Sequence, residues 1–194
     1  MKKFLTLALA ALSFFGAATA ANNTKKAAPK DTLVFTTIVS APVTSIKNQN
    51  NSGTCWAYSS LAFLESEALK KNPSLKPADV DLCESFVVAK TYNDRADRAV
   101  RTHGDVSFSQ GGSFYDVIYC MDRYGLVPEG TMPYPKTLYG DSLFNFKHFF
   151  PGLEAFVGSV AKGDHKTINP IWKKTVAQMV DGYFGEAPKT FKVK

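Results

Sequence analysis

The sequence has few of the residues from which metal and nucleic-acid sites are built. It contains three cysteines and three histidines, and they form none of the CxxC pairs or His/Cys clusters typical of zinc sites. Its formal net charge of +6 is mild, and the positive residues are spread rather than gathered in runs, so nothing indicates a nucleic-acid partner. Internal repeats are absent as well. We therefore expect one domain's worth of core, with no metal and no cofactor.

The chain also lacks an apolar run long enough to span a membrane, which takes about 20 residues. A shorter run, Phe4–Ala18, follows Met1-Lys2-Lys3 and precedes a small-residue cleavage site at 18–20. This pattern predicts a secretory signal peptide over residues 1–20. We expect export to the periplasm or the extracellular space of a bacterium, without a membrane anchor. Loss of the two lysines would leave a formal charge of +4, and residues 21–30 are predicted to be a disordered leader.

The odd number of cysteines leaves at least one thiol unpaired or paired between chains. Export to an oxidising compartment makes a structural disulfide possible. A bond between Cys83 and Cys120 is the one pairing that leaves Cys55 unpaired. Because Cys83 and Cys120 both lie in apolar, helix-like segments, two buried thiols are an equal alternative.

The hydrophobic pattern predicts a chain that is mostly helical. Residues 31–39 are rich in β-branched side chains and predict a short strand, the polar residues 48–54 predict a loop, and residues 190–194 resemble the start of another strand. Apolar residues recur at helical spacing elsewhere. The predicted helices cover 55–71, 77–101, 113–124, 141–162 and 169–184. We expect the first helix to be central and buried.

Local signals refine these helices. Thr54 and Asn169 are suitable N-caps, and Gly125 is a suitable C-cap. The charged run at 93–98 predicts a solvated face. The core face of the third helix is predicted to consist of Phe114, Val117, Ile118, Met121 and Tyr124.

The chemical interpretation depends on Cys55 and on Gln49, six residues before it. The orphan N–H groups and the positive end of the dipole at a helix start favour a thiolate, which is a nucleophile for acyl groups. Attack on a peptide carbonyl creates an oxyanion, which requires hydrogen-bond donors about 3 Å away. The alternatives are a buried structural cysteine for Cys55 and a solvated loop residue for Gln49.

The segment from Gln49 to Ser59 resembles the active-site loop and central helix of papain-like cysteine peptidases, whose signature ends in Cys-Trp or Cys-Tyr. Ser52 stands where that signature has its first cysteine, which is similar to the bleomycin hydrolase and aminopeptidase C branch. Further similarity to this branch follows in the same order and brings the resemblance to about residues 40–190. The stretches concerned are Asp81–Lys90, Gly111–Gly112 and Tyr124–Pro135.

The resemblance implies a papain-like α+β fold. Residues 31–194 would be the N-terminal, mainly helical portion, with the β-rich half absent. It also implies peptide-bond hydrolysis through a thioacyl intermediate on Cys55, with a peptide as substrate and no cofactor. Aminopeptidase or endopeptidase action, side-chain preference and oligomeric state stay open.

The same resemblance assigns roles to five residues. The side-chain amide of Gln49 and the backbone N–H of Cys55 would form the oxyanion hole. Gly111 and Gly112 would bind the substrate backbone, because they lack side chains, and Trp56 would cover the cleft wall. For the glycine pair, a simple helix-entry turn is the alternative.

A papain-type site also needs a histidine base and an asparagine that orients it, and we expect both to be missing from these 194 residues. His103 lies in a charged turn and His148 in a predicted helix. His165 is followed too closely by Asn169, which is better explained as a helix cap. The explanations considered are an incomplete chain, an inactive homologue that binds peptides or is structural, and a base supplied by another chain.

Overall fold

The computed structural model describes residues 34–132, 143–163 and 167–190. These residues form five α-helices and a short 3₁₀ helix, Pro77–Asp79. The α-helices are α1 (Cys55–Lys71), α2 (Glu84–Arg101), α3 (Phe114–Tyr124), α4 (Phe146–Lys162) and α5 (Ile171–Phe184). Within the described ranges there is no named strand, and only two isolated bridges, Asn51 with Asn145 and Leu82 with Pro128, are present. The helical portion of the predicted fold is observed, whereas its β portion is not seen in this part of the chain.

The central helix of the fold is α2, not α1 as predicted. α2 packs against α1, α3, α4 and α5, and residues on most sides of it, from Glu84 to Val100, are buried. In contrast, α1 buries one stripe that includes Trp56, Ala57 and Leu61, while Phe63 on another side is 54% exposed. The apolar residues near the start of α1 gave no indication of which side would be covered, so the prediction of a central first helix was wrong.

A predicted single helix over 77–101 is divided in two. Between the 3₁₀ helix and α2 the backbone is extended and pairs with the segment after α3. The N–H of Cys83 donates to the carbonyl of Val127 at 3.0 Å, and the N–H of Glu129 donates to the carbonyl of Asp81 at 2.8 Å. These bonds compete with helical ones, so α2 begins only at Glu84.

The core face of α3 differs from the predicted one by a rotation of the helix. Val117 and Cys120 are its buried residues, whereas Phe114 and Met121 are 40% and 38% exposed. Gly125 ends the helix with φ 76°, as predicted for a C-cap. The exposed Phe114 instead meets Phe63 of α1, with ring centres 5.8 Å apart.

An aromatic cluster joins α2, α4 and α5. The ring of Tyr92 on α2 lies 5.4 Å from that of Phe150 and 6.4 Å from that of Phe184. Phe108 stacks on Phe150 with ring centres 5.3 Å apart. Aromatic pairs at these distances favour edge or offset contacts and contribute beyond their buried area. The cluster packs α4 and α5 against α2.

The segment up to Ile38 forms a unit separate from the rest of the chain. Residues 34–38 form no strand and no bridge, the chain bends at Ile38, and the side chains of Val34, Phe35 and Ile38 are exposed. The strand predicted over 31–39 is therefore wrong for its described residues, because β-branched composition gives a strand only where a neighbouring strand supplies hydrogen bonds.

Several predictions concern residues outside the described ranges. They are the signal peptide at 1–20, the leader at 21–30 and most of the C-terminal strand. In the residues that are described, no helix is both long and apolar enough to cross a membrane.

Candidate active site

The loop before α1 is a compact turn that folds Gln49 back toward the helix start. Asn50 adopts φ 48°, a left-handed conformation that asparagine tolerates better than most residues. Its N–H donates to Oδ1 of Asn48 at 2.8 Å, and its carbonyl accepts from the N–H of Ser52 at 3.0 Å. Gln49 and Ser52 close the turn reciprocally: Nε2 of Gln49 donates to the carbonyl of Ser52, and Oγ of Ser52 donates to the carbonyl of Gln49, both at 2.8 Å.

Cys55 is the first residue of α1, and its side chain is exposed. Thr54 occupies the N-cap position, as predicted, but its side chain makes no capping hydrogen bond. Instead its hydroxyl lies 2.6 Å from that of Ser52. Because the first N–H groups of a helix have no intrahelical partner, this arrangement leaves donors at the helix start next to an accessible thiol.

An open groove of about 640 Å³ runs past the thiol. Its lining comes from the start of α1 and from the residues that enter α3: Cys55, Trp56, Ser59, Ser60, Phe63, Gly112, Ser113 and Phe114. Three of the five predicted site residues, Cys55, Trp56 and Gly112, therefore lie on one surface. Gly111 is exposed beside them, while Gln49 is half-buried in the turn before α1.

Gly112 has no room for a side chain. A Cβ atom there would lie 2.6 Å from Cδ2 of Trp56 and would also collide with the guanidinium of Arg95. At Gly111, by contrast, a Cβ atom would meet nothing within 4 Å. The two glycines thus differ: one is required by packing against the indole, and the other leaves an open approach to the backbone.

Arg95 holds the segment 109–112 against Trp56. The carbon of its guanidinium lies 5.0 Å from the centre of the Trp56 ring, within the range of a cation–π contact. It also donates to the carbonyls of Ser109 and Gly111 and pairs with Asp116 at 2.9 Å. Its side chain is 14% exposed, so the prediction that the whole charged run 93–98 is a solvated face was wrong.

Lys47 anchors the chain two residues before Gln49. Its Nζ lies 2.8 Å from a carboxylate oxygen of Asp81, 3.0 Å from Glu84, 3.6 Å from Glu129 and 3.9 Å from Glu65. One cation therefore serves four carboxylates, and the side chains of Glu65 and Glu84 are 1% and 6% exposed. The loop that carries Gln49 is tied in this way to both α1 and the start of α2.

Two members of this carboxylate cluster, Lys47 and Glu84, both have a raised pKa. Burial alone would lower the pKa of Lys47, but its hydrogen bond to Asp81 and the charges of Glu84 and Glu129 outweigh burial and raise it. Burial raises the pKa of Glu84 to about 7, although Lys47 acts in the other direction. At Lys47 the neighbouring carboxylates thus outweigh burial, whereas at Glu84 burial outweighs the charge of Lys47.

The three cysteines fall into two classes. All three lie in the described part of the chain, and they form no disulfide there. Burial raises the pKa of the Cys83 thiol to about 11 and that of the Cys120 thiol to about 12. The alternative of two buried thiols is therefore the one observed. In the same described residues, no group of three His, Cys, Asp or Glu side chains could hold a metal ion.

The two described histidines do not line the groove. His103 lies in the turn after α2, with φ 52°, and His148 lies in α4. His165 and the side chains around it are outside the described residues. Asn169 was predicted to be the N-cap of α5, but Pro170 occupies that position and the helix begins at Ile171. The Oδ1 of Asn169 accepts a hydrogen bond from the N–H of Ile171 at 3.0 Å from one position further out.

The geometry of thiol, turn and groove can be compared with known proteins. A family model described as the Peptidase C1-like family matches residues 3–142. The chain belongs to the Peptidase C1-like family. The predicted resemblance to papain-like cysteine peptidases of the bleomycin hydrolase branch is thereby confirmed.

Curated relatives agree with this family. The chain is 27% identical over 135 residues to aminopeptidase G of Lactobacillus delbrueckii subsp. lactis, covering 58% of this chain and 28% of that protein. It is 25% identical over 150 residues to the mitochondrial cysteine proteinase 1 of Saccharomyces cerevisiae strain YJM789, covering 68% of this chain and 30% of that protein. The chain thus spans less than a third of the length of these relatives.

Three residues of the site region were missed by sequence reasoning. Nothing in the sequence near Lys47 or Arg95 indicates a role in the site. The carboxylates around Lys47 and the indole that Arg95 covers both lie far from these residues along the chain. Gln110 gave only the weak signal of preceding the glycine pair. Its contacts, described below, join segments that are more than 50 residues apart.

Proposed function

We propose that this protein acts in peptide-bond hydrolysis as a cysteine peptidase of the aminopeptidase C or bleomycin hydrolase type. The observation that carries the proposal is the exposed thiol of Cys55 at the start of α1, on a groove shared with Gly112, in a chain of the Peptidase C1-like family. The names of the relatives, an aminopeptidase and a cysteine proteinase, support this class of activity.

In the proposed reaction, the general base takes the proton of the Cys55 thiol, the sulfur attacks the carbonyl carbon of a peptide bond, and the negative charge moves to the carbonyl oxygen. The backbone N–H of Cys55 and one hydrogen of the Gln49 amide stabilise this oxyanion. An amide group has two hydrogens, and the bond to Ser52 uses one of them. Cleavage of the C–N bond releases the amine with a proton from the base, and water then hydrolyses the thioester.

The substrate backbone is proposed to lie along Gly111 and Gly112. The open space at Gly111 supports close approach of a peptide, and the indole of Trp56 beneath Gly112 keeps that segment in place. Ser113 and Phe114 continue the groove toward α3.

The general base is proposed to come from outside the described residues, because neither His103 nor His148 lines the groove. The same observation favours a second function, in which the chain binds peptides without cleaving them. We also propose that the protein is exported, on the basis of the N-terminal signal pattern.

Hydrolysis of aminoacyl and peptidyl fluorogenic reporters tests the two functions. We expect turnover by the longest protein that the gene encodes, loss of turnover in Cys55→Ala, and a decrease in kcat of about 10²- to 10³-fold in Gln49→Ala, the effect of removing one oxyanion donor. The 194-residue chain alone should give no turnover. Retained turnover in Cys55→Ala would refute the peptidase assignment, whereas peptide binding without turnover by the longest protein would favour the second function.

A further inference from the structure

The segment before α3 and the loop before α1 are joined through one residue, Gln110. Its side-chain Oε1 accepts a hydrogen bond from the backbone N–H of Gly53 at 2.8 Å. Its backbone carbonyl accepts from Nε1 of Trp56 at 3.0 Å and from the hydroxyl of Tyr92 at 3.3 Å. Gln110 therefore binds residues on both sides of Cys55, from a position 57 residues away from Gly53 in the sequence.

The approach of these two segments is close. A Cβ atom at Gly53 would lie 2.8 Å from Cβ of Gln110, so the glycine is required where the glutamine packs against the loop. On the other side, Arg95 donates to the carbonyls of Ser109 and Gly111, the two neighbours of Gln110. These bonds fix the backbone on both sides of Gln110. The side chain of Gln110 is therefore kept close to the N–H of Gly53.

We infer that Gln110 is a positioning residue that sets the nucleophile loop at a fixed distance from the glycine pair. Gln110 is not among the residues that line the groove. It acts through Gly53, which precedes Cys55 by two residues, and through Gly111, which follows Gln110 directly. The inference rests on the proposed function, since it concerns the geometry that a peptide would meet between thiol and glycines.

The physical reason is the direction of the Cys55 N–H. The peptide units of Gly53 and Thr54 lead directly into the first turn of α1, so a shift of Gly53 rotates the donor that would face an oxyanion. The same shift would change the span between the thiol and the backbone of Gly111. A small electrophile needs only access to the sulfur, whereas a peptide-like reagent also needs that span to be correct.

The test uses the 194-residue chain and the variants Gln110→Leu and Gln110→Glu, with Gln178→Leu as the matched control. Gln178 is exposed on α5, far along the chain from the site. Glutamate keeps an oxygen acceptor for Gly53, and leucine removes it at similar size. Three quantities are measured: hydrogen exchange in residues 49–55, the rate of Cys55 alkylation by iodoacetamide, and the rate with a dipeptidyl chloromethyl ketone.

Gln110→Leu should raise the exchange rate in residues 49–55 about fivefold, the equivalent of one hydrogen bond. It should lower the rate with the peptidyl reagent by a similar factor and leave the iodoacetamide rate within twofold. Gln110→Glu and Gln178→Leu should behave like the unaltered chain. Unchanged exchange in Gln110→Leu would overturn the inference. Equal decreases with both reagents, together with a lower Tm, would also overturn it, because they would indicate a general structural role.

The failure of the proposed function has a different signature. If the unaltered chain reacts with the peptidyl reagent no faster than with a chloromethyl ketone that lacks a peptide, the groove does not bind peptides. The exchange measurement does not depend on peptide binding. It therefore still decides whether Gln110 orders the loop at Cys55.

Discussion

Replacing Lys47 by methionine should strongly destabilise the fold, in a manner that depends on pH. The substitution keeps most of the apolar stem but removes a cation that lies within 4 Å of four carboxylates. Removal of one partner from a buried ion pair costs about 3–5 kcal/mol, because a buried charge is left uncompensated. The side chains of Glu65 and Glu84 are buried enough for this range to apply at pH 8.

The pH dependence follows from Glu84. Its pKa of about 7 in the folded chain lies above its ordinary value of 4.5, so the folded state binds the proton more tightly than the unfolded state. Ionisation of Glu84 therefore weakens the fold as pH rises from about 4.5 to 7, and protonation strengthens it as pH falls. Without Lys47, whose charge lowers the pKa of Glu84, the window extends above 7. The loss in Lys47→Met should be smaller at pH 5.5 than at pH 8 by about 1–2 kcal/mol.

Urea denaturation at pH 5.5, 7 and 8, followed by tryptophan fluorescence, measures these free energies of unfolding. Lys70→Met is the matched control, because its side chain is 68% exposed and its pair with Glu67 lies on the surface. It should change stability by less than about 0.5 kcal/mol. The double variant Lys47→Met/Glu84→Gln should recover part of the loss. A loss below about 1 kcal/mol at pH 8, or an equal loss at both ends of the pH range, would refute the reasoning.

Further predictions concern the thiols and the glycine pair. Iodoacetamide should modify Cys55 in the folded chain at pH 8, while Cys83 and Cys120 should react only after unfolding. Burial raises the pKa values of these two thiols to about 11 and 12. Peptide mapping by mass spectrometry measures the modification of each cysteine, and equal modification of all three in the folded chain would contradict the prediction. Gly112→Ala should cost about 1–3 kcal/mol of stability, because the added Cβ would overpack against the indole of Trp56. Gly111→Ala, where a Cβ meets nothing within 4 Å, should melt within about 1 °C of the unaltered chain; equal Tm values for both variants would contradict the packing argument.

Much of the helical architecture follows from local sequence. The start of α1 at Cys55, its end before Asn72 and the cap of α3 at Gly125 agree with prediction, because turn and capping residues act within a few positions of the chain. The loop 48–54 was predictable for the same reason. Helix α5 begins at Ile171, one residue later than predicted, and the side chain of Asn169 accepts a hydrogen bond from its first N–H.

Local sequence failed where burial depends on distant partners. The exposed face of α1 and the rotation of α3 could not be read from their own apolar residues, because both helices carry apolar side chains on more than one side. Residues 34–39 have the composition of a strand and no strand partner in the described chain. Arg95 was assigned to a solvated run, since nothing near it in sequence indicates the indole that it covers.

The candidate site divides in the same way. The sequence by itself indicated the family, the helix start at Cys55 and the turn that carries Gln49, because these lie within one short segment whose residues interact with their neighbours. Tertiary structure alone brought Gly112 to the groove, placed Lys47 among four carboxylates and joined Gly53 to Gln110. These contacts link residues tens of positions apart, and only the packing of α1 and α3 against α2 determines that they meet.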